Sequence, residues 1–209
     1  SIEEARYVFF LTRKGIAKRL PISELQNLTR AGRRILTLAE GDEIAEVHKT
    51  TGTDELLFIS SRGRALKVSE EEFRPMGRTA KGVIGMRLGR DDHIISFDVV
   101  DERKQSLIIS ENGVGKRTKY SEFTPHHRGA GGVKAMNLSS RTGKLVCSYG
   151  VSPEDEIILI SARGRLIRLA ADEIPMLSRT ARGSILVRLD EGDSVADLSI
   201  VPAEVCDEE

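Results

Sequence analysis

The 209-residue chain predicts an all-β fold, one repeat domain built from about four propeller-like blades of four strands each. Three observations predict it. First, a turn glycine recurs at Gly15, Gly63, Gly113 and Gly164, spaced 48, 50 and 51 residues apart. Second, a three-residue apolar run precedes each: Phe9-Phe10-Leu11, Leu57-Phe58-Ile59, Leu107-Ile108-Ile109 and Ile158-Leu159-Ile160. Third, no segment sustains the 3.6-residue periodicity of an amphipathic helix.

The elements follow in order within each copy. The apolar run is a strand, and the glycine permits the positive φ of a tight hairpin. In the last copy Ile157 to Ser161 is the first strand, and the alternating Arg165 to Leu169 is the second. A loop follows, in which Ser69 to Phe73 or Ala170 to Ile174 has the length of one helical turn. Ser184 to Leu189 is the third strand, Gly192-Asp193 a turn, and Val195 to Val201 the fourth. Other positions keep the same phase. Nine residues after each turn glycine stands Glu24, Glu72, Glu122 or Glu173, which the pattern predicts as a loop anchor or a partner for arginine. Fifteen after it stands Arg30, Arg78, Arg128 or Arg179. A second glycine follows at Gly82, Gly132 and Gly183, with Gly32 in that role in the shorter first copy. The blades span about 5–52, 53–103, 104–153 and 154–203, with an acidic tail at 204–209. Single blades cannot bury both faces, so neighbours must stack.

Composition narrows the class. Hydrophobic residues make up 39% and charged residues 31%, as in a globular domain, and no apolar run reaches the length of a membrane span. Trp is absent and aromatics are 4%, which predicts a core of Ile, Val and Leu. Ser1-Ile2-Glu3-Glu4 has no signal pattern, and the missing initiator Met predicts a piece of a longer chain. Cys147 and Cys206 match no metal spacing, and a reducing cytoplasm suits them better than a disulfide.

Net charge is zero, with 32 Lys and Arg against 32 Asp and Glu, but its distribution is not even. Seven-residue windows around the turn glycines and six-residue windows around the recurring arginine carry +19 in 52 residues, leaving −19 on the other 157. Basic charge therefore falls at equivalent places in every blade. If the blades stack in register, these places form a stripe, the electrostatic footprint of a nucleic-acid backbone. A glycine beside an arginine also lets a phosphate reach a backbone N–H. The plainer alternative is a set of solvated hairpin turns.

Phe73 to Val83 (FRPMGRTAKGV), Asn112 to Thr118 (NGVGKRT) and Ser178 to Leu186 (SRTARGSIL) resemble the C-terminal domain of bacterial gyrase A and its topoisomerase IV relative. The resemblance runs from about Tyr7 to Val201 and extends to the acidic end, Glu204 to Glu209. It implies a β-pinwheel, in which adjacent blades exchange strands, and a basic rim that wraps double-stranded DNA and gives supercoiling its direction. The rest of gyrase A and gyrase B would be the partners, in the cytoplasm. The breakage tyrosine, ATP and Mg would belong to other domains of an ATP-dependent type II topoisomerase. No catalytic residue, cofactor or metal is expected in this chain, since Tyr7, Tyr120 and Tyr149 match no nucleophile motif. The family usually has six blades, and these four align with the last four. Its basic heptapeptide would fall in the missing part, and Arg128-Gly129-Ala130-Gly131-Gly132 is a faint echo. An open arc would expose blade edges, through which the chain could dimerise.

The expected DNA contacts are Lys14, Lys18, Arg19, Arg30, Arg33 and Arg34 in the first blade, and Arg62, Arg64, Lys67, Arg78 and Lys81 in the second. Lys116, Arg117, Lys119 and Arg128 follow in the third, and Arg163, Arg165, Arg168, Arg179 and Arg182 in the fourth. Two rival readings stand beside this one. One is a propeller-like protein-interaction module. The other is an enzyme using Asp91, Asp92 and His93 or His126 and His127, disfavoured because the features are spread evenly over the repeats.

Overall fold

The computed structural model describes residues 4–203, in which fifteen strands form four sheets. The first blade contains β1 (Tyr7–Thr12), β2 (Ile16–Pro21) and β3 (Ile44–Thr50). The second contains β4 (Glu55–Ser60), β5 (Arg64–Ser69), a two-residue strand β6 (Val83–Ile84) and β7 (Ile94–Val99). The third repeats this with β8 (Gln105–Ser110), β9 (Val114–Lys119), β10 (Val133–Lys134) and β11 (Leu145–Val151). The fourth has β12 (Glu156–Ser161), β13 (Leu166–Ala170), β14 (Ser184–Ile185) and β15 (Val195–Val201).

The hairpins form where the glycines predict. Gly15, Gly63, Gly113 and Gly164 have φ of +87°, +78°, +81° and +86°, a region costly for any residue with a Cβ. The side chain three places earlier caps the turn: the hydroxyls of Thr12, Ser60, Ser110 and Ser161 accept from the N–H groups of Ile16, Arg64, Val114 and Arg165 at 3.0–3.2 Å. After the second strand the chain makes a 3₁₀ turn at Ile22–Leu25, Glu70–Glu72, Tyr120–Glu122 and Ala171–Glu173.

In the last three copies the third strand does not stay at home. The sheet orders are β3-β1-β2-β6, β10-β5-β4-β7 and β11-β8-β9-β14, so β6, β10 and β14 each complete the preceding blade. Ala17 pairs Val83, Ala65 pairs Val133 and Gly115 pairs Ser184, one register repeated three times. The second glycine explains how the strands come so close. A Cβ on Gly82, Gly132 or Gly183 would lie 2.7, 2.4 or 2.7 Å from the carbonyl oxygen of Ala17, Ala65 or Gly115. Gly32 has the same positive φ of +72° but no such neighbour. The four-stranded expectation needs one correction. The last sheet is three-stranded, β13-β12-β15, because it donates β14 and among the described residues receives nothing on β13. Leu166 on that edge is accordingly 63% exposed.

β3, β7, β11 and β15 line the inner edges and meet one another in turn, while β2, β5, β9 and β13 lie outward. Three apolar clusters fill the spaces between successive blades. The first is not aliphatic as the composition suggests. Phe9, Phe58, Phe73 and Phe97 meet there, with Phe9 edge-on to Phe73 at 5.0 Å and to Phe97 at 5.4 Å. The few aromatics are concentrated where two blades pack.

Polar groups are buried between blades as well. Glu70, fully buried, accepts from Arg19 Nη1 (3.1 Å), the Thr50 hydroxyl (2.9 Å) and the amides of Gly52 (3.1 Å) and Asp54 (2.9 Å). At the equivalent place one blade on, the Tyr120 hydroxyl donates to Asp98 at 2.9 Å. Burial raises the Asp98 pKa to about 7, opposed by the Tyr120 bond and Lys104 and reinforced by Glu46. A carboxyl whose folded pKa exceeds its unfolded value stabilises the fold fully below about pH 3.8, and that contribution is lost as pH rises through about 7. Asp98→Asn is expected to flatten the pH dependence of stability between about pH 4 and 7, read as urea midpoints. An unchanged slope would rule this linkage out.

Cys147 is buried, and burial pushes its thiol up to about 12. Cys206 and the acidic tail, Glu204 to Glu209, lie outside the described residues. Among the described residues no helix is long and apolar enough to cross a membrane.

Candidate nucleic-acid interface

The stacking that builds the core also decides where the basic residues go. Two successive positions on the second strand of the first three blades, pointing to opposite faces, are covered by the next blade or by the loop it sends across. Lys18, Arg19, Lys67, Lys116 and Arg117 occupy them and are at most 7% exposed. Arg19 pairs with Glu70, bonds the Gly52 carbonyl at 3.2 Å and lies 4.4 Å over the Tyr7 ring. Lys67 donates to the Tyr120 carbonyl at 3.2 Å. Arg117 donates to the Ile174 carbonyl (2.8 Å) and to Gln105 (3.2 Å). Lys18 and Lys116 donate to carbonyls of the next blade's loop. These five are therefore corrected from ligand contacts to struts between blades. Arg168 holds the same position on the open β13 edge, where it is exposed and paired with Glu156.

The remaining fifteen are exposed or half-buried. Lys14, Arg62 and Arg163 sit in the hairpin turns, tied to the second turn of their own blade. Their amides donate to Asp42, Asp92 and Asp193 at 3.0, 3.0 and 3.1 Å. Asp92 also accepts from Ser60, Ser61 and the His93 amide, which gives Asp91-Asp92 a turn-building role. Among the described residues no group of three or more His, Cys, Asp or Glu could hold a metal ion.

The recurring-arginine loops, at 77–82, 127–132 and 178–183, lie against the outer strand of the preceding blade. The amides of Met76, His126 and Leu177 donate to the carbonyls of Arg19, Lys67 and Arg117 at 2.9 Å in every case. The glutamate predicted as an anchor performs that task between blades. Glu24 pairs with Arg78 at 3.6 Å, Glu72 accepts from the Arg128 amide and His127, and Glu122 accepts from the Arg179 amide. Burial is the largest single influence on Glu72 and raises its pKa, but the combined contacts with His127 and Arg128 outweigh it and leave the pKa lowered, while Glu72 raises that of His127. Arg128 and Arg179 reach back to the carbonyls of Ile84 and Lys134 on the exchanged strands, at 3.3 and 2.6 Å. Arg64 extends to the carbonyls of Gly131 and Gly132, beside Arg128. Arg165 has the Arg188 carbonyl and Asp190 instead. Lys81, Lys119 and Arg182 are exposed, as are Arg30, Arg33 and Arg34 on the first blade.

The loops thus recur along the outer edge of successive blades, each tied to the preceding blade by the same backbone bond just before it. A family described as "DNA gyrase C-terminal domain, beta-propeller" matches residues 6–51, 54–101, 107–146 and 155–202. The chain belongs to this family. Its four matched segments correspond to the four blades of this gyrase C-terminal domain. It is 55% identical over 204 residues to the DNA gyrase A protein of Aminobacterium colombiense, covering 98% of this chain and 25% of that protein. With the gyrase A protein of Kosmotoga olearia the identity is 40%, covering 94% and 24%. The chain therefore spans about a quarter of the curated relatives it matches. Among solved structures, a DNA gyrase A C-terminal domain superposes with TM-score 0.84 at 27% identity, covering 96% of this chain and 67% of that one. A topoisomerase IV C-terminal domain gives 0.89 at 25%, covering 98% and 64%. Both neighbours support the β-pinwheel arrangement.

The charge windows missed three exposed cations beside these loops: Arg74, Arg87 and Lys134. Arg87 bonds the Ala130 carbonyl through its amide at 3.0 Å, and Lys134 lies on an exchanged strand. Only strand exchange carries Lys134 beside Arg179, so no window along the chain could have joined them.

Proposed function

We propose that this domain binds double-stranded DNA along its outer rim and bends it, as the C-terminal part of a gyrase A protein. It would act with the rest of gyrase A and with gyrase B in the cytoplasm. ATP, Mg and the breakage chemistry would be supplied by other domains of that type II topoisomerase. The observation that carries the reading is the threefold repetition of one arginine-bearing loop, tied by the same backbone bond to successive outer edges. Contacts in such an array reach phosphates, not base edges, so sequence preference is weak. Bending a short duplex by about 40–90° costs roughly 1–6 kcal/mol, which several phosphate contacts with counterion release offset. The bare β13 edge is where a second copy would pair. A protein-interaction module would share the rim but would not alter DNA topology.

Ligation of nicked plasmid in the presence of the domain tests the reading. The linking number is expected to shift toward positive values as protein is added. No shift at saturating protein, with binding verified, would exclude wrapping.

A further inference from the structure

We propose that Lys18 and Lys116 are positioning residues that shape the next blade's loop into a backbone phosphate site. Lys18 Nζ donates to the carbonyls of Ile35 (2.8 Å), Arg78 (3.0 Å) and Ala80 (2.8 Å). Lys116 Nζ donates to those of Ser178 (2.8 Å), Arg179 (2.7 Å) and Ala181 (2.9 Å). An ammonium has three donors and no acceptor, so each is fully used. The two sites are two blades apart and take the same carbonyls, that of the recurring arginine and that of the alanine two residues on. Both lysines are buried, at 1% and 0% exposure.

The consequence lies on the other side of the loop. In a trans peptide the N–H points away from the carbonyl. Turning the carbonyls of Arg78 and Ala80 inward therefore turns the amides of Thr79 and Lys81 outward. In the fourth blade the amides of Thr180 and Arg182 are turned out the same way. All four residues are exposed, and among the described residues none of these amides has a protein acceptor. Each loop thus offers a pair of free N–H groups beside Arg78 and Lys81, or beside Arg179 and Arg182, with a buried positive charge beneath. Backbone N–H groups turned outward beside cations are donors of the kind that position a phosphate. Burial lowers the Lys116 pKa to about 8, helped by Arg179 and opposed by Glu122, so the ammonium remains charged at neutral pH. Blade two places Leu66 at this position, so its neighbouring loop, 127–132, has no lysine beneath it and is held instead by Glu72, by Arg64 and by backbone bonds with Gly85 and Arg87. The rim therefore has two kinds of loop, and the difference was not visible in the spacing of arginines.

This inference rests on the DNA-binding reading, and the experiment separates the two. Wild-type and Lys116→Met chains are compared for duplex affinity across salt concentrations and for hydrogen exchange. Methionine suits the site because Leu66 fills its counterpart. The variant is expected to bind about tenfold more weakly, with the log–log salt slope shallower by about 1–2 as the loop's phosphate contacts go. The amides of 178–183 should exchange faster while those of β8 and β9 stay protected. Adding Arg182→Ala should cost less on the Lys116→Met background than on wild type, because both act through one loop. Wild-type affinity in Lys116→Met, or full additivity with Arg182→Ala, would overturn the positioning role. A wild-type chain that ignores duplex at low salt would instead overturn the DNA reading on which it rests. Lys18→Met reads the loop at 77–82 in the same way and serves if Lys116→Met does not fold.

Discussion

Replacing Arg78, Arg128 and Arg179 together by alanine is expected to weaken duplex binding by roughly a thousandfold, with the protein still folded. The magnitude follows from three charge-assisted contacts at about 1.5 kcal/mol each, where every ~1.4 kcal/mol is tenfold. The salt slope should become shallower by about 3, one unit per lost phosphate contact. The fold should survive because two of the anchors are backbone bonds: the Arg128 amide to Glu72 and the Arg179 amide to Glu122. The Arg78–Glu24 pair is solvent-accessible and contributes little to stability. Fluorescence anisotropy over a salt series, with circular dichroism as the folding control, measures both quantities. A triple variant with unchanged slope would place the phosphate path elsewhere on the molecule.

Glu70→Ala carries the largest expected effect on stability. The wild-type carboxylate is fully buried and joins blades one and two through Arg19, Thr50, Gly52 and Asp54. Removing it leaves the Arg19 guanidinium beside no carboxylate and orphans two backbone amides. Breaking a buried pair in this way costs about 3–5 kcal/mol. For a chain of this length that lowers the melting temperature by roughly 10 °C. Urea unfolding monitored by circular dichroism would check it. A loss below about 1 kcal/mol would mean that the pair is relaxed by solvent and is not a strut.

Most of the architecture is written locally. A positive-φ glycine behind three apolar residues makes the same hairpin wherever it occurs, so Gly15, Gly63, Gly113 and Gly164 locate β1–β2, β4–β5, β8–β9 and the turn of blade four without tertiary information. The glutamate nine residues on was legible as an anchor. The blade it anchors was not, since Glu72 and Arg128 are 56 residues apart. Charge counting failed for a related reason. Lys18 and Lys14 look alike in sequence, but one lies under the neighbouring blade and the other in an open turn. Whether a cation faces solvent depends on which side of a strand the next repeat covers.

Sequence by itself determined the number of repeats, the hairpins, the family and the periodic placement of basic residues, because each depends on residues close together along the chain. Tertiary structure alone decided that β6, β10 and β14 each join the preceding sheet. It also decided that five of the cations hold blades together and that the arginine loops share one outer edge. Those outcomes depend on packing between segments about fifty residues apart, where burial and hydrogen-bond satisfaction choose among side chains that composition treats as equal.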